Sequence, residues 1–392
     1  MPGDFYDVIV VGAGHSGSYT ALQLCSRGYK VAVLERKEAP GTNACCTGIV
    51  SRECFDSFGV TPDVLLTRAD SAKLFSPSGK CLRLKSDKVQ AYVIDRASLD
   101  RALADQASAA GADYFFSLAA EDIVIDDEEV RIETPRFRLR AKAVVLATGF
   151  EPALTRKLGL GSIAHFASGA QAEVETQEVE EVEVYLSQEL ATGFFGWLVP
   201  TSSSKALAGV LATSHPRLCL EKLLKSHFCQ GKVLSPRGII RTKAIPIGTL
   251  PRSYGNRLLV IGDAAGQVKP TTGGGIYFGH LGSQAAVEAL TGAFNRGNLG
   301  ARELARYQKA WRAKFGREIS TGYRARRLYQ KLSDSQIERL FDLVASRGIA
   351  AALVDSPGFS FDWHGRIILE IIKGVVGRLP GRVSPSEGVT RR

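Results

Sequence analysis

The chain has 392 residues, of which 45% are hydrophobic and 23% charged, with a net charge of +10. That balance excludes a disordered chain, and the length allows a large core spread over more than one domain. The 40 glycines fall in short groups without a repeat, which excludes collagen-like, solenoid and propeller architectures.

Residues 7–11 (DVIVV) form an apolar run of the kind found in a strand buried on both faces. Gly12-Ala13-Gly14-His15-Ser16-Gly17 follows at once, then a helix ending at Gly28 and a second strand, 30–34, closed by Glu35. This is GxGxxG in its required setting. Gly12 permits the turn, Gly14 admits a pyrophosphate to the backbone beside Ala13, and Gly17 lets helix and strand pack closely. The helix start offers free N–H groups to phosphate. Glu35 stands where an acid accepts ribose hydroxyls. Arg36 could contact a 2′-phosphate, but the acid beside it argues against NADP and leaves FAD or NAD.

Next comes the loop Cys45-Cys46-Thr47-Gly48, then SAKLFSPSGKCLRLKS as a hairpin around Pro77-Ser78-Gly79. Asp95-Arg96 lies at a strand-to-helix junction, and VVLATG (144–149) is a strand ending in a tight turn at Gly149. The run AEVETQEVEEVEVYL (172–186) alternates acids with valine and reads as a solvated sheet edge. Phe194-Phe195-Gly196-Trp197-Leu198-Val199-Pro200 is an aromatic strand. Residues 257–263 form another buried strand, ending in Gly262-Asp263 before the helix start Gly273-Gly274-Gly275-Ile276. Asp263 suits a ribityl hydroxyl or a water near the phosphates, and the amides near Gly275 suit a flavin's pyrimidine oxygen.

GxGxxG with Glu35, Asp95-Arg96, ATG at 147–149 and GDAAG at 262–266 together resemble the glutathione-reductase-type FAD proteins. Within them they resemble the group shared by aromatic hydroxylases, flavin halogenases and geranylgeranyl reductases. Two segments resemble the geranylgeranyl reductase branch: the cysteine loop at 45–48, and Phe195-Gly196-Trp197-Leu198-Val199-Pro200, similar to that family's aromatic-x-Trp-x-Phe-Pro motif. Thr47 stands where glycine is usual, Cys45 is an added cysteine, and Val199 replaces the family's Phe. The resemblance implies an α/β fold, with a Rossmann-type FAD domain (1–60, 92–160 and 252–300), an inserted antiparallel substrate sheet (61–91 and 161–251) and a helical region (301–380). It implies FAD contacts at Gly12, Ala13, Gly14, Gly17, Glu35, Arg36, Cys46, Thr47, Gly48, Arg96, Val124, Gly149, Asp263, Gly274, Gly275 and Ile276. Phe195, Trp197 and Pro200 would wall a long apolar pocket for an isoprenoid chain.

The activity so implied is reduction of isoprenoid double bonds by reduced FAD. Cys46 is the candidate proton donor or flavin-tuning thiol, against the plainer reading of a small apolar residue packed on the ring. Trp197 has a plain reading too, as core. His15 and His280 are given no role: a solvent-facing helix-start residue and a structural histidine explain them. An aromatic-hydroxylase-type monooxygenase, a flavin halogenase and a non-enzymatic prenyl carrier remain alternatives. Neither a second GxGxxG unit nor an iron–sulfur cysteine pattern is present, so the electron donor is NAD(P)H docking transiently or a ferredoxin.

The seven cysteines (Cys25, Cys45, Cys46, Cys54, Cys81, Cys219 and Cys229) include no CxxC pair. No disulfide framework or metal site is expected, and the compartment reads as reducing. Asp4 and Asp7 stand where a signal peptide would be basic, and no run reaches the ~18 apolar residues of a membrane span. The expectation is a cytoplasmic protein. Residues 301–392 hold 18 Lys+Arg against 9 Asp+Glu, a basic end without a nucleic-acid motif, which suggests contact with an anionic membrane surface. Ile367, Ile368, Ile371, Ile372, Val375, Val376 and Leu379 form an apolar stripe that either docks on the core or lies on that membrane. Residues 381–392 read as a loose tail.

Overall fold

The computed structural model describes residues 5–349, 360–365 and 368. β1 (Tyr6–Val11) is the central strand, with Val8, Ile9 and Val10 fully buried, as a strand covered on both faces requires. α1 (His15–Cys25) crosses over, and β2 (Val31–Leu34) returns parallel to β1, with Val8 opposite Val31. β3 (Ile49–Ser51), α2 (Arg52–Ser57) and β4 (Leu65–Ala69) follow. β5 (Ser71–Phe75) and β6 (Cys81–Lys85) make the expected hairpin, Phe75 opposite Cys81. β7 (Ala91–Ile94) leads into α3 (Arg96–Ala109), and β8 (Asp113–Phe115) lies parallel to β2.

β9 (Asp122–Ile125), β10 (Val130–Glu133) and β11 (Arg138–Leu146) form an antiparallel meander, and the far half of β11 runs parallel to β1. After α4 (Pro152–Lys157) come β12 (Phe166–Thr176), β13 (Val182–Tyr185), β14 (Gly196–Ser202), β15 (Lys205–Ala212), α5 (Pro216–Lys225) and β16 (Val233–Pro246). β17 (Tyr254–Gly255) and β18 (Leu258–Val260) rejoin the first sheet. α6 (Ile276–Asn295) and α7 (Ala301–Trp311) follow. A π-helical turn, Arg312–Gly316, leads from α7 to α8 (Arg317–Tyr329), and α9 (Asp334–Ser346) comes after.

The first sheet has the order β17-β18-β11-β1-β2-β8, with the meander branching from β11. The second has the order β16-β12-β15-β14-β13-β5-β6, and β3-β7-β4 make a small third sheet. This is the α/β architecture the motifs imply, a parallel dinucleotide sheet joined to a second, mostly antiparallel one. β4, expected among the strands of the substrate sheet, pairs with β7 instead.

The acidic run 172–186 is not a sheet edge. It spans β12 and β13, each with a strand on both sides. Alternation reports which face of a strand is wet, not whether the strand is flanked. Glu183 within it is 2% exposed, neutralised by Lys232 Nζ at 2.7 Å and hydrogen-bonded by the Tyr185 hydroxyl at 2.6 Å. The predicted helical region begins as expected with α7, α8 and α9, while the stripe 367–379 (except Ile368) and the tail 381–392 lie outside the described residues.

Candidate cofactor and substrate site

The turn after β1 is shaped by its glycines. Gly12 has φ +110°, and a Cβ there would lie 2.4 Å from the Ala147 carbonyl oxygen. A Cβ on Gly17 would come within 1.9 Å of the Gly12 carbonyl oxygen. Gly14 is different: the nearest protein atom to its Cβ would be Arg96 Nη2 at 3.9 Å, so the space over it is open to a ligand. α1 starts after Gly14 without a side-chain cap, the kind of helix start that receives phosphate. Glu35 closes the turn, its Oε2 accepting the Ala13 N–H at 2.8 Å and its Oε1 the Lys37 N–H at 3.0 Å. The turn, the open cradle and the acid fit a dinucleotide such as FAD.

Gly149, φ +74°, follows β11 at the same end of the sheet. Arg36 is exposed and paired with Glu151 at 3.4 Å. Val124 does not join the cluster. Its rung runs through Arg131 to Arg140, beside the Tyr6 end of β1 and opposite the end that carries Gly12. Phe115 and Leu118 are the residues bonded through their backbones to Glu35.

Asp95 caps α3, accepting N–H groups from Ala97 and Ser98. Arg96 then reaches back to the turn, donating from Nη2 to His15 Nδ1 at 2.6 Å and from Nη1 to Asp100. His15 is buried, not solvent-facing as expected, and its Nε2 lies 3.0 Å from Ser16 Oγ. A guanidinium donor on Nδ1 requires a lone pair there, so the ring is neutral with its proton on Nε2. Burial, then the Arg96 charge, pushes its pKa well down. Burial also holds His280 and His364 at about 4. His280 sits between the rings of Tyr19 and Phe58 at 4.3 and 4.5 Å, a packed structural residue.

All three histidines protonate more readily in the unfolded chain, near pH 6.5. Stability is therefore full above pH 6.5 and falls as the pH drops toward 4, by on the order of 2 kcal/mol at pH 5 for His280 and again for His364. Urea midpoints at pH 7 and pH 5 check this. An equal loss in His280→Phe would show that this histidine contributes nothing to it.

Two loops lie against the second sheet. In the first, Gln171 on β12 donates to the Cys46 carbonyl at 3.3 Å and accepts from Thr47 Oγ1 at 2.9 Å, while the Cys45 thiol reaches the Arg241 carbonyl at 3.7 Å. Gly48 has φ +74°, and a Cβ there would meet the Ile94 carbonyl oxygen at 2.1 Å. The Cys46 thiol is half-buried. In the second loop, a Cβ on Gly275 would lie 2.6 Å from Asp263 Oδ1, and one on Gly274 would lie 2.7 Å from Lys269 Cε. Gly275 starts α6 without a side-chain cap, leaving amides near Ile276 free for a ring oxygen. Asp263 Oδ2 accepts from Lys243 Nζ at 2.8 Å, and the carboxylate raises that lysine's pKa.

The second sheet turns one face toward both loops. β12 contributes Gln171 to it, and β16 Lys243 and Ile245. Leu211 belongs to the same face, since a Cβ on Gly273 would touch it at 2.9 Å and Ile245 at 3.5 Å. Trp197 lies on it over Gly209, where a Cβ would be 2.3 Å from the indole, and packs near Ile49. Phe195 is 5.9 Å from Trp197, ring to ring. The indole Nε1 is buried and has no hydrogen-bond partner among the described residues. Pro200 differs. Strand alternation puts it with Leu198 on the opposite face, the one α5 covers. It is not part of this wall.

Gln171, Lys243, Lys269 and Asp362 belong to the site, and no motif announced them. Their partners lie 20 to 311 residues away in sequence.

A family model for FAD dependent oxidoreductases matches residues 7–84. The digeranylgeranylglycerophospholipid reductase 2 of Methanothermobacter thermautotrophicus is 30% identical over 88% of this chain and 93% of its own length. An enzyme of the same name from Methanopyrus kandleri is 26% identical over 96% of this chain and 97% of its own. Among solved structures, a geranylgeranyl bacteriochlorophyll reductase-like protein from Thermoplasma acidophilum superposes with a TM-score of 0.82 at 22% identity, covering 95% of this chain and 96% of its own. The flavin-dependent brominase Bmp2 shares the fold at a TM-score of 0.69 and 15% identity, over 94% and 99% of the two chains.

Proposed function

The chain belongs to the digeranylgeranylglycerophospholipid reductase family, and from that premise we propose that it is an FAD-dependent reductase of carbon–carbon double bonds in a geranylgeranyl-type lipid chain. The observation that carries this reading is the apolar face of Leu211, Ile245, Phe195 and Trp197, set against the glycine loop and the cysteine loop. Such a surface suits a hydrocarbon chain. Reduced FAD, when bound, supplies the hydride that an isolated alkene accepts poorly.

The chain's own contribution is placement and dryness. Gly12, Gly14, Gly17 and the α1 amides would seat the pyrophosphate, Glu35 the ribose, and Arg96, held by His15 and Asp100, the phosphate charge. Cys46 to Gly48 and Gly274 to Ile276 would hold the ring, and Asp263 the ribityl chain. The aromatic wall holds the alkene against the ring and excludes water, so orientation supplies much of the acceleration. The Cys46 thiol is the proton donor we assign. Cys46→Ala should retain FAD and slow reduction; undiminished turnover would remove that assignment.

Trp197→Ala opens the wall where the indole covers Gly209. Losing one buried aromatic contact should weaken binding of a geranylgeranyl lipid by about tenfold or more, read by flavin-fluorescence titration. Unchanged affinity would place the chain elsewhere.

The deciding experiment is anaerobic. The FAD-loaded protein is reduced with dithionite and mixed with a geranylgeranyl glycerolipid. A gain of two mass units per double bond, with the flavin reoxidised without oxygen, is expected. Flavin that stays reduced until air enters would favour a monooxygenase instead. The same cuvette, with NAD(P)H or a reduced ferredoxin in place of dithionite, separates the two electron donors. No helix among the described residues is long and apolar enough to cross a membrane. Access to a lipid substrate is assigned to peripheral contact through the basic C-terminal region, tested by sedimentation with anionic vesicles.

A further inference from the structure

Arg326 on α8 is 7% exposed and carries its charge into the interior between the two halves of the site. Its Nε donates to the Pro270 carbonyl at 3.3 Å, its Nη1 to the Gly193 carbonyl at 3.1 Å, and its Nη2 to the Thr271 carbonyl. The guanidinium stands 4.5 Å from the ring centre of Phe194, 5.8 Å from Phe195 and 5.1 Å from Tyr329. Pro270 and Thr271 open the glycine loop; Gly193 opens the aromatic segment that continues into β14. One side chain thus fastens the loop expected under the flavin to the wall expected beside the substrate.

Burial lowers its pKa only to about 10, so the group is charged at neutral pH. Among the described residues no carboxylate lies within ion-pair distance of it. The neighbouring charges are already matched, Lys269 by Asp362 and Lys243 by Asp263. Glu318, two turns earlier on the same helix and roughly 12 Å away along its axis, accepts the Gly365 N–H. Carbonyl dipoles and ring faces offset part of the cost of burying a cation, but they bring no negative charge.

We propose that Arg326 is a positioning residue whose unmatched charge is completed by the bound flavin when it is reduced. The reduced ring carries a negative charge at neutral pH, centred on the pyrimidine end that the amides near Gly275 are suited to receive. A cation behind that loop stabilises this form over the neutral oxidised ring, because charge near the ring tunes its electronics. The inference rests on the reading of this site as a flavin site and needs nothing about the lipid.

The test is an anaerobic reductive titration of the full-length, FAD-loaded protein against a reference dye, with no lipid present. Arg326→Met and Arg326→Gln should both make reduction at least tenfold less favourable. Arg326→Lys, which keeps the charge and loses the fork, should stay within threefold of the native protein. Either neutral variant titrating like the native protein would overturn the proposal and leave Arg326 a structural clamp. So would a lysine variant tenfold or more harder to reduce than the native protein, an outcome that stays readable should Met or Gln fail to load FAD. A protein that titrates as proposed but reduces no geranylgeranyl lipid would retire the substrate assignment alone.

Discussion

Gly17→Ala should purify without bound FAD and unfold well below the native protein. The added Cβ would sit 1.9 Å from the Gly12 carbonyl oxygen, 3.1 Å from its carbon and 3.2 Å from Ala147 Cβ. None of these atoms is the free end of a side chain, so α1 must move off β1 or the turn must open. The cost belongs among the rare large effects, about 4 kcal/mol or more. Gly14→Ala separates folding from binding: its Cβ meets no protein atom closer than 3.9 Å, so the apoprotein should keep its denaturant midpoint while FAD is lost to crowding at the pyrophosphate. Gly28→Ala is the control for backbone conformation alone. Its φ is +84° with nothing within 4 Å, and it should cost only ~1 kcal/mol and leave the protein yellow. FAD absorbance per protein and the urea midpoint read all three. A yellow, fully stable Gly17→Ala would mean that α1 does not pack as described.

The difference between these glycines marks how far the sequence could be read. Local patterns were legible. Strand, turn, helix and acid lie within 30 residues, and each residue's task there is decided by its near neighbours. The strand-to-helix junction at Asp95-Arg96 and the hairpin at 71–85 were legible for the same reason. Val124 was misplaced because a meander's rung, not its position in the chain, decides which end of the sheet a residue occupies. Pro200 was misplaced because a motif gives spacing, whereas the strand's period of two decides the face. His15 looked like a residue facing solvent until α3 brought Arg96 onto it. Gln171, Lys243 and Arg326 are single polar residues in apolar or mixed surroundings, and only tertiary pairing gives them a role.

Asp362 is the most consequential case, and removing its carboxylate is expected to cost about 3–5 kcal/mol. Its side chain is 2% exposed and pairs with Lys269 Nζ at 2.6 Å; the lysine side chain is 5% exposed. Asp362 Oδ2 also accepts the Ser51 N–H at 3.0 Å, at the start of α2 just beyond the cysteine loop. Burial alone would raise the acid's pKa, but the Lys269 ammonium and the Ser51 donors outweigh it and hold it below the ordinary range. The Phe361 ring lies 4.8 Å from the same ammonium, and Thr271 Oγ1 meets His364 Nδ1 at 2.6 Å. One short segment near the C-terminus therefore braces both loops that bracket the proposed flavin. Asp362→Leu would strand a buried ammonium beside Gly274, and the penalty is that of an uncompensated charge rather than of a lost contact. Lys269→Leu combined with Asp362→Leu removes both charges and should recover most of the stability, because two apolar side chains can fill what an ion pair vacates. Denaturant midpoints of the single and double variants, with FAD dissociation rates beside them, test the argument. A single variant as stable as the native protein would mean the pair is solvated. A double variant no better than the single would mean the segment is held by Trp363 packing on Tyr277 and Phe278, with the charges incidental.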